Sequence, residues 1–420
     1  MVQKVVFTAL TSASFGLYKS LWVTDGTGAG SVDITPDAAN SAFAPNMLGH
    51  VGNYTIFQAD DVAFDPSSFS LVGSHYGLWT TDGTAAGTMS IGSFQYFGGF
   101  VGFGNEAILN GSDGAGHTGI VVTDGTAAGT QFLTAATSIA TGAATSGTAV
   151  GTTQAVFEDT GNTLWVTDGT ASGTHRISLS GGGSLPTNTV FASIGLKAIF
   201  EGPTRNNTNL WITDGTSSGT TTLSGIDTAH PSGGAVGLTP TLMAQIGIST
   251  AIMAVSATTS SSATAGAGLW RTDGTANGTY EIGALTGITG IAALGYSGSA
   301  VVAADGGLYA TNGTTVSLLS ASVQAQGLTT FGNKAWFYAV DDSTGLPVQW
   351  VTDGTVAGTQ AVPVTGLFEV NAFDAGLTAG FSASIGHLYA PPVLSGFAAG
   401  GSKSDDSSFS LFSGFSLLDI

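Results

Sequence analysis

Hydrophobic and polar positions along this chain alternate in short runs and show no helical stripe. One set of four runs comprises Asn46 to Val51, Tyr54 to Ala59 (YTIFQA), Gly77 to Thr81 and Thr88 to Ile91. The runs are rich in apolar, aromatic and β-branched residues and are punctuated by Gly, Asn and Asp, which predicts strands joined by tight turns. Thr153 to Phe157, Ala198 to Glu201, Ala300 to Ala304 and Lys334 to Val340 read as the second strand of later sets. In the last of these, Trp336, Tyr338 and Val340 fall on one face and Phe337 and Ala339 on the other. With strands packed face to face, both faces of the inner strands are expected to be buried.

The third run of each set leads into one recurring string, clearest as LWVTDGTASGT from Leu164 to Thr174. Leu164 to Thr167 favour an extended strand. Asp168-Gly169 is a turn signal: Gly takes positive φ without a steric penalty, and the Asp carboxylate can accept hydrogen bonds from backbone N–H groups. Thr174 to Ile177 then begin the next strand, so the string predicts a β-hairpin corner. Copies start at Leu21, Leu78, Ile120, Leu164, Leu210, Leu269, Leu308 and Gln349. Their turn residues are Asp25, Asp82, Asp124, Asp168, Asp214, Asp273, Asn312 and Asp353. The mean period is about 47 residues, in the range of propeller blades.

Four antiparallel strands per repeat predict an all-β fold: a single closed β-propeller of four-stranded blades, eight by the count of copies, with seven or nine as alternatives. A parallel solenoid is the competing architecture, but it implies more regular spacing. The first unit, Val5 to Leu10, Leu21 to Thr24 and Ser31 to Ile34, lacks a leading strand. Leu367 to Phe373 can supply it, so residues 1–394 are expected to close as one domain through both termini. Thr378 to Ser382 and His387 to Ala390 remain as a ninth partial unit or an added hairpin.

Composition narrows the function. Only 8% of the 420 residues are charged, against about 25% in an average protein. Cys is absent, which removes disulfide and thiolate chemistry. A net charge of −19 argues against nucleic acid and against anionic lipid surfaces as partners. No apolar run approaches the length of a membrane-spanning helix, so no membrane insertion is expected.

The repeated string resembles the bacterial ELWxxDGTxxGT repeat family of secreted or surface proteins, with the leading Glu replaced by Ser20, Gly77, Thr163, Asn209 and Gly268. The resemblance runs from Val5 to about Thr359. It implies an extracellular repeat protein and leaves its chemistry open. Residues 395–420 form a separate Gly-, Ser- and Phe-rich tail, with Asp405-Asp406 ahead of an apolar end from Phe409 to Ile420. That tail resembles an uncleaved type I secretion signal, which implies a secreted or cell-surface location. A final packed strand is the bland alternative.

Three sets of residues are candidates for function. The turn aspartates Asp25, Asp82, Asp124, Asp168, Asp214, Asp273 and Asp353 would share one face. One carboxylate and two hydroxyls per loop is lean for calcium, and turn capping explains the pattern better. A second acidic set follows the second strands: Asp60, Asp61, Glu158, Asp159, Glu201, Asp341 and Asp342, with Asp113 and Asp305 in similar places. It belongs on the opposite face and could take a cation such as calcium, or a hydroxyl-rich ligand such as carbohydrate; solvated loop ends are the alternative. Trp22, Trp79, Trp165, Trp211, Trp270 and Trp350 share one strand position, which points to packing between blades ahead of sugar stacking. The six His residues have no metal-binding spacing.

The expected function is therefore a secreted, non-enzymatic propeller that binds carbohydrate or surface proteins, or assembles with itself. The alternative is a secreted polysaccharide hydrolase or lyase that uses carboxylates on one face. The 61–77 insert, with Asp65, His75 and Tyr76, is the most distinctive loop for such chemistry.

Overall fold

The computed structural model describes residues 5–10, 19–24, 32–35, 45–60, 63–65, 70–72, 76–113, 115–133, 146–187, 189–205, 208–224, 226, 238–256, 267–295, 297–340, 347–361, 370–374 and 386–388. Their strands form eight main sheets and one small two-stranded hairpin. Every pairing is antiparallel, which rules out the parallel solenoid.

Seven sheets are four-stranded meanders, each built from one stretch of chain. The second sheet orders Asn46–Val51, Tyr54–Asp60, Tyr76–Thr81 and Met89–Gly92 side by side. The third to eighth sheets repeat that order over residues 94–132, 146–176, 191–222, 239–283, 290–320 and 326–361. The 61–77 insert contributes the small hairpin, Ala63–Asp65 paired with Ser70–Val72.

The first sheet is assembled from both ends of the chain. Its order is Val32–Asp33, Lys19–Thr24, Val5–Leu10, Val370–Asp374 and Gly386–Leu388. Val5 pairs with Asp374 and Ala9 with Val370, so a C-terminal strand leads the N-terminal unit. The surplus segment near His387 adds a fifth strand, Gly386–Leu388, to that sheet. Thr378 to Ser382 lie outside the described residues.

Successive sheets pack face to face through apolar clusters. Val6, Leu21, Val23 and Ile34 of the first sheet meet Phe57, Ala59 and Trp79 of the second. Similar clusters join the second sheet to the third and so on to the eighth. In four of the sheets a second-strand Phe stacks on the third-strand Trp opposite it: Phe57–Trp79, Phe157–Trp165, Phe200–Trp211 and Phe337–Trp350. Trp79, Trp165, Trp211 and Trp270 are buried, so the shared Trp position is a core position. Each such ring contributes about 2–3 kcal/mol through area removed from water.

Burial of both faces holds for strand Ala300–Ala304, which is buried throughout. It does not hold for Lys334–Val340: Ala335, Phe337 and Ala339 are buried, while Val340 is 57% exposed. That strand packs fully on only one side.

The leading strands also touch in succession. Asn46–Val51 lies against Phe94–Phe103, and the contacts continue strand to strand as far as Gln326–Phe331. Val370–Asp374 touches both Gln326–Phe331 and Asn46–Val51.

Candidate functional site

The two ends of these meanders carry different chemistry. Turns after the third strand lie at one end of each sheet, and turns after the second strand lie at the other.

At the first end, the repeated string is a closed hydrogen-bond circuit. In the fourth sheet Asp168 Oδ1 accepts from the Thr170 N–H at 2.9 Å and from the Thr170 hydroxyl at 2.6 Å. Thr170 Oγ1 accepts from the Gly173 N–H at 3.0 Å. Thr174 Oγ1 donates to the Thr170 carbonyl, so the hydroxyl proton shared between Thr167 and Thr174, 2.6 Å apart, comes from Thr167. Thr167 Oγ1 in turn accepts from the Gly169 N–H.

The glycines are equally determined. Gly169 has φ 83°, which a side chain resists. A Cβ on Gly173 would run into the Asp168 carboxylate. Each fixed letter of TDGTxxGT is thus occupied in holding the turn. The same circuit recurs around Asp82, Asp124, Asp214, Asp273 and Asp353. Asn312 caps a shortened version, accepting from Thr314 and Thr315. Asp25 lies outside the described residues.

Electrostatics follow from the circuit. The hydroxyl and N–H of the following Thr hold the carboxyls of Asp168, Asp214 and Asp353 below the usual range. Lys197 and Lys334 add a smaller push in the same direction on Asp214 and Asp353. Glu106 is an acid of this face that the sequence reading missed. It opens a second strand in the third sheet and leans onto the turn of the fourth, where a Cβ on Gly169 would meet its Oε2. Burial raises its pKa, and the charges of Asp124 and Asp168 raise it further. A lone Glu after a Gly-Asn turn gives no sign in sequence that it faces a neighbouring repeat.

At the opposite end, the second acidic set divides. Asp159 is buried and accepts from the N–H groups of Gly161 and Thr163 through Oδ1, and from the Trp165 indole N–H through Oδ2 at 2.8 Å. It caps its own loop and anchors the core Trp. Glu158 is buried as well; its Oε2 accepts from Ser146 Oγ and from the Thr189 N–H at 2.9 Å. Thr189 lies just ahead of the fifth sheet, so Glu158 ties two sheets together. Glu201 holds the equivalent place in the fifth sheet, since Glu158 pairs with Leu164 and Glu201 with Leu210. Burial raises the Glu201 pKa, and the Glu158 charge adds to it.

Asp113 is not part of that pair. Its carboxylate contacts His117 Nδ1 at 2.7 Å and is held below the usual range chiefly by that hydrogen bond. Asp305 is exposed. Asp61, Asp341, Asp342 and His75 lie outside the described residues, as does the side chain of Asp60. Among the described residues, no group of three or more His, Cys, Asp or Glu is arranged to hold a metal ion. No described helix is long and apolar enough to cross a membrane.

The fold these sheets define is of the β-propeller class: an all-β repeat of four-stranded antiparallel meanders packed face to face. No protein-family model and no curated protein matches the chain. Among solved structures it is similar to the β-propeller domain of the trilobed protease from Pyrococcus furiosus, at 10% identity over 76% of this chain and 97% of that one, with a TM-score of 0.41. It is also similar to BamB from Moraxella catarrhalis, at 12% identity over 79% and 93% of the two chains and a TM-score of 0.41. YCF48 bound to a D1 peptide matches at 11% identity over 70% and 91%, with a TM-score of 0.39. Likeness at this level carries no argument about function, and the fold class rests on the sheets themselves.

Proposed function

We propose that the eight sheets form one closed eight-bladed propeller of the ELWxxDGTxxGT repeat kind. It acts outside the cell as a binding or surface-assembly module, exported through the tail at 395–420. The observation that carries this reading is the commitment of the repeated polar groups to structure. Asp, Thr and Gly of the six described Asp strings are occupied by the turn circuit, and Asp159 and Glu158 by the loop and the joint between sheets. What the turn ends offer outward are the small variable residues of each string, such as Ala85-Ala86 and Ser217-Ser218, on a rigid frame. Such a surface, which also carries the exposed turn aspartates, suits broad contact with carbohydrate or with another protein. Calcium belongs to this proposal at the acidic end only.

The test is calorimetric titration of the whole protein with a panel of bacterial and plant polysaccharides, with calcium and with chelator, alongside an assay for newly formed reducing ends. Binding without turnover supports a binding module; turnover contradicts it. Export is tested separately by fusing residues 395–420 to a reporter beside a type I exporter. Reporter that stays in the cell refutes the signal.

One observation favours the hydrolase reading, namely that burial and the Glu158 charge raise the Glu201 pKa, since glycosidic cleavage uses a paired acid with a raised pKa. In that case Glu201→Gln abolishes reducing-end formation while leaving polysaccharide binding intact.

A further inference from the structure

The first sheet differs from the other seven in how it is held. Each of those is built from one continuous stretch of chain. In the first sheet, the joint between Val5–Leu10 and Val370–Asp374 brings together residues from opposite ends of the chain. Five register pairs make that joint, from Val5 with Asp374 to Ala9 with Val370.

Both walls of this joint have anchors of their own. Val6 with Leu21, Val23 and Ile34 packs on Phe57, Ala59 and Trp79 of the second sheet. On the other side Leu328, Ala335, Phe337 and Ala339 hold the eighth sheet to the seventh. The inserted strand touches both neighbours, pairing with Val5–Leu10 and lying against Gln326–Phe331.

We propose that this protein self-associates by strand exchange at that joint: Val370–Asp374 of one copy pairs with Val5–Leu10 of a second copy. The occupant is a second copy because the strand's acceptor is the edge of Val5–Leu10, which every copy carries. Exchange re-forms the same register and the same contacts with Gln326–Phe331, so bonding within the joint is unchanged. Only the effective concentration of the tethered strand favours closure within one copy. Eight residues, 362–369, link Ala361 to Val370 and span up to about 28 Å when extended, enough to reach a neighbour. Each copy offers one strand and one acceptor edge, so mutual exchange closes a dimer and one-way exchange gives larger rings or open filaments. This inference rests on the closed ring proposed above and gives the assembly reading a specific contact.

The chain has no Cys, so introduced thiols report without ambiguity. Thr8 and Asn371 are register partners. The double variant Thr8→Cys/Asn371→Cys, oxidised when dilute, is expected to run as an internally linked monomer. The single variants Thr8→Cys and Asn371→Cys, mixed, refolded together from denaturant and oxidised, are expected to give a covalent dimer. Its yield rises several-fold for about a tenfold rise in protein concentration. Leu196→Cys, 79% exposed and on the fifth sheet, replaces Thr8→Cys in the control and should give little dimer. An internal link with no dimer above control overturns strand exchange and leaves the ring standing. Failure of the internal link in folded double variant overturns the ring closure itself.

Discussion

The letters of the repeated string are legible one by one as hydrogen-bond partners. Asp168 is an acceptor of the Thr170 N–H and hydroxyl, and its charge is incidental to that task. Asp168→Asn is therefore expected to keep most of the stability, while Asp168→Ala loses about 1 kcal/mol, as lost caps do. Chemical denaturation of the two variants measures the difference; equal large losses, both recovered with calcium, contradict the capping account. Glu201 works the other way. Its folded pKa is raised, so at neutral pH its ionised form opposes folding, and that opposition is relieved as pH falls through the raised value. Glu201→Gln should melt higher than the parent at pH 7, with the gap narrowing in acid. His50 supplies a third signature. Burial lowers its pKa from 6.5 to about 4, so the unfolded chain takes up a proton in that window and the folded chain does not. Its share of stability is present above 6.5 and is lost as pH falls from 6.5 toward 4, and His50→Asn should flatten the pH dependence of melting there.

Strands of the second sheet were legible almost to the residue, because alternation marks the strands and Asp-Gly marks the corner. The expected Asn46 to Val51, Tyr54 to Ala59, Gly77 to Thr81 and Thr88 to Ile91 stand as Asn46–Val51, Tyr54–Asp60, Tyr76–Thr81 and Met89–Gly92. What sequence left dark are relations between elements. The hairpin Ala63–Asp65 with Ser70–Val72 is a short pairing inside an insert that reads as loop. Glu106 acts on the turn of the next sheet, and Glu158 on a backbone N–H 31 residues further on. Neither partner is set by local pattern. Asp159 links these scales: a residue that reads as a solvated loop acid is the acceptor for a buried indole. Asp159→Ala strands the Trp165 N–H in the core and should cost about 1–3 kcal/mol, visible also as a shift in Trp fluorescence. A variant as stable as the parent contradicts the anchoring role.

At the scale of the whole molecule, repetition sets the architecture and the ends complete it. Seven sheets are each complete in themselves; the first becomes four-stranded only when Val370–Asp374 joins Val5–Leu10. The central claim is that the eight sheets form a closed ring, and distances between outer strands test it most directly. Spin labels on Val32→Cys, Thr221→Cys and Gln360→Cys mark the exposed outer strands of the first, fifth and eighth sheets. Pulsed electron resonance then compares the pair 32–360 with the pair 32–221. A closed ring makes the first and eighth sheets neighbours, so the 32–360 distance is the shorter. An open array of the same sheets makes the 32–360 distance the longer, and that result would contradict the account.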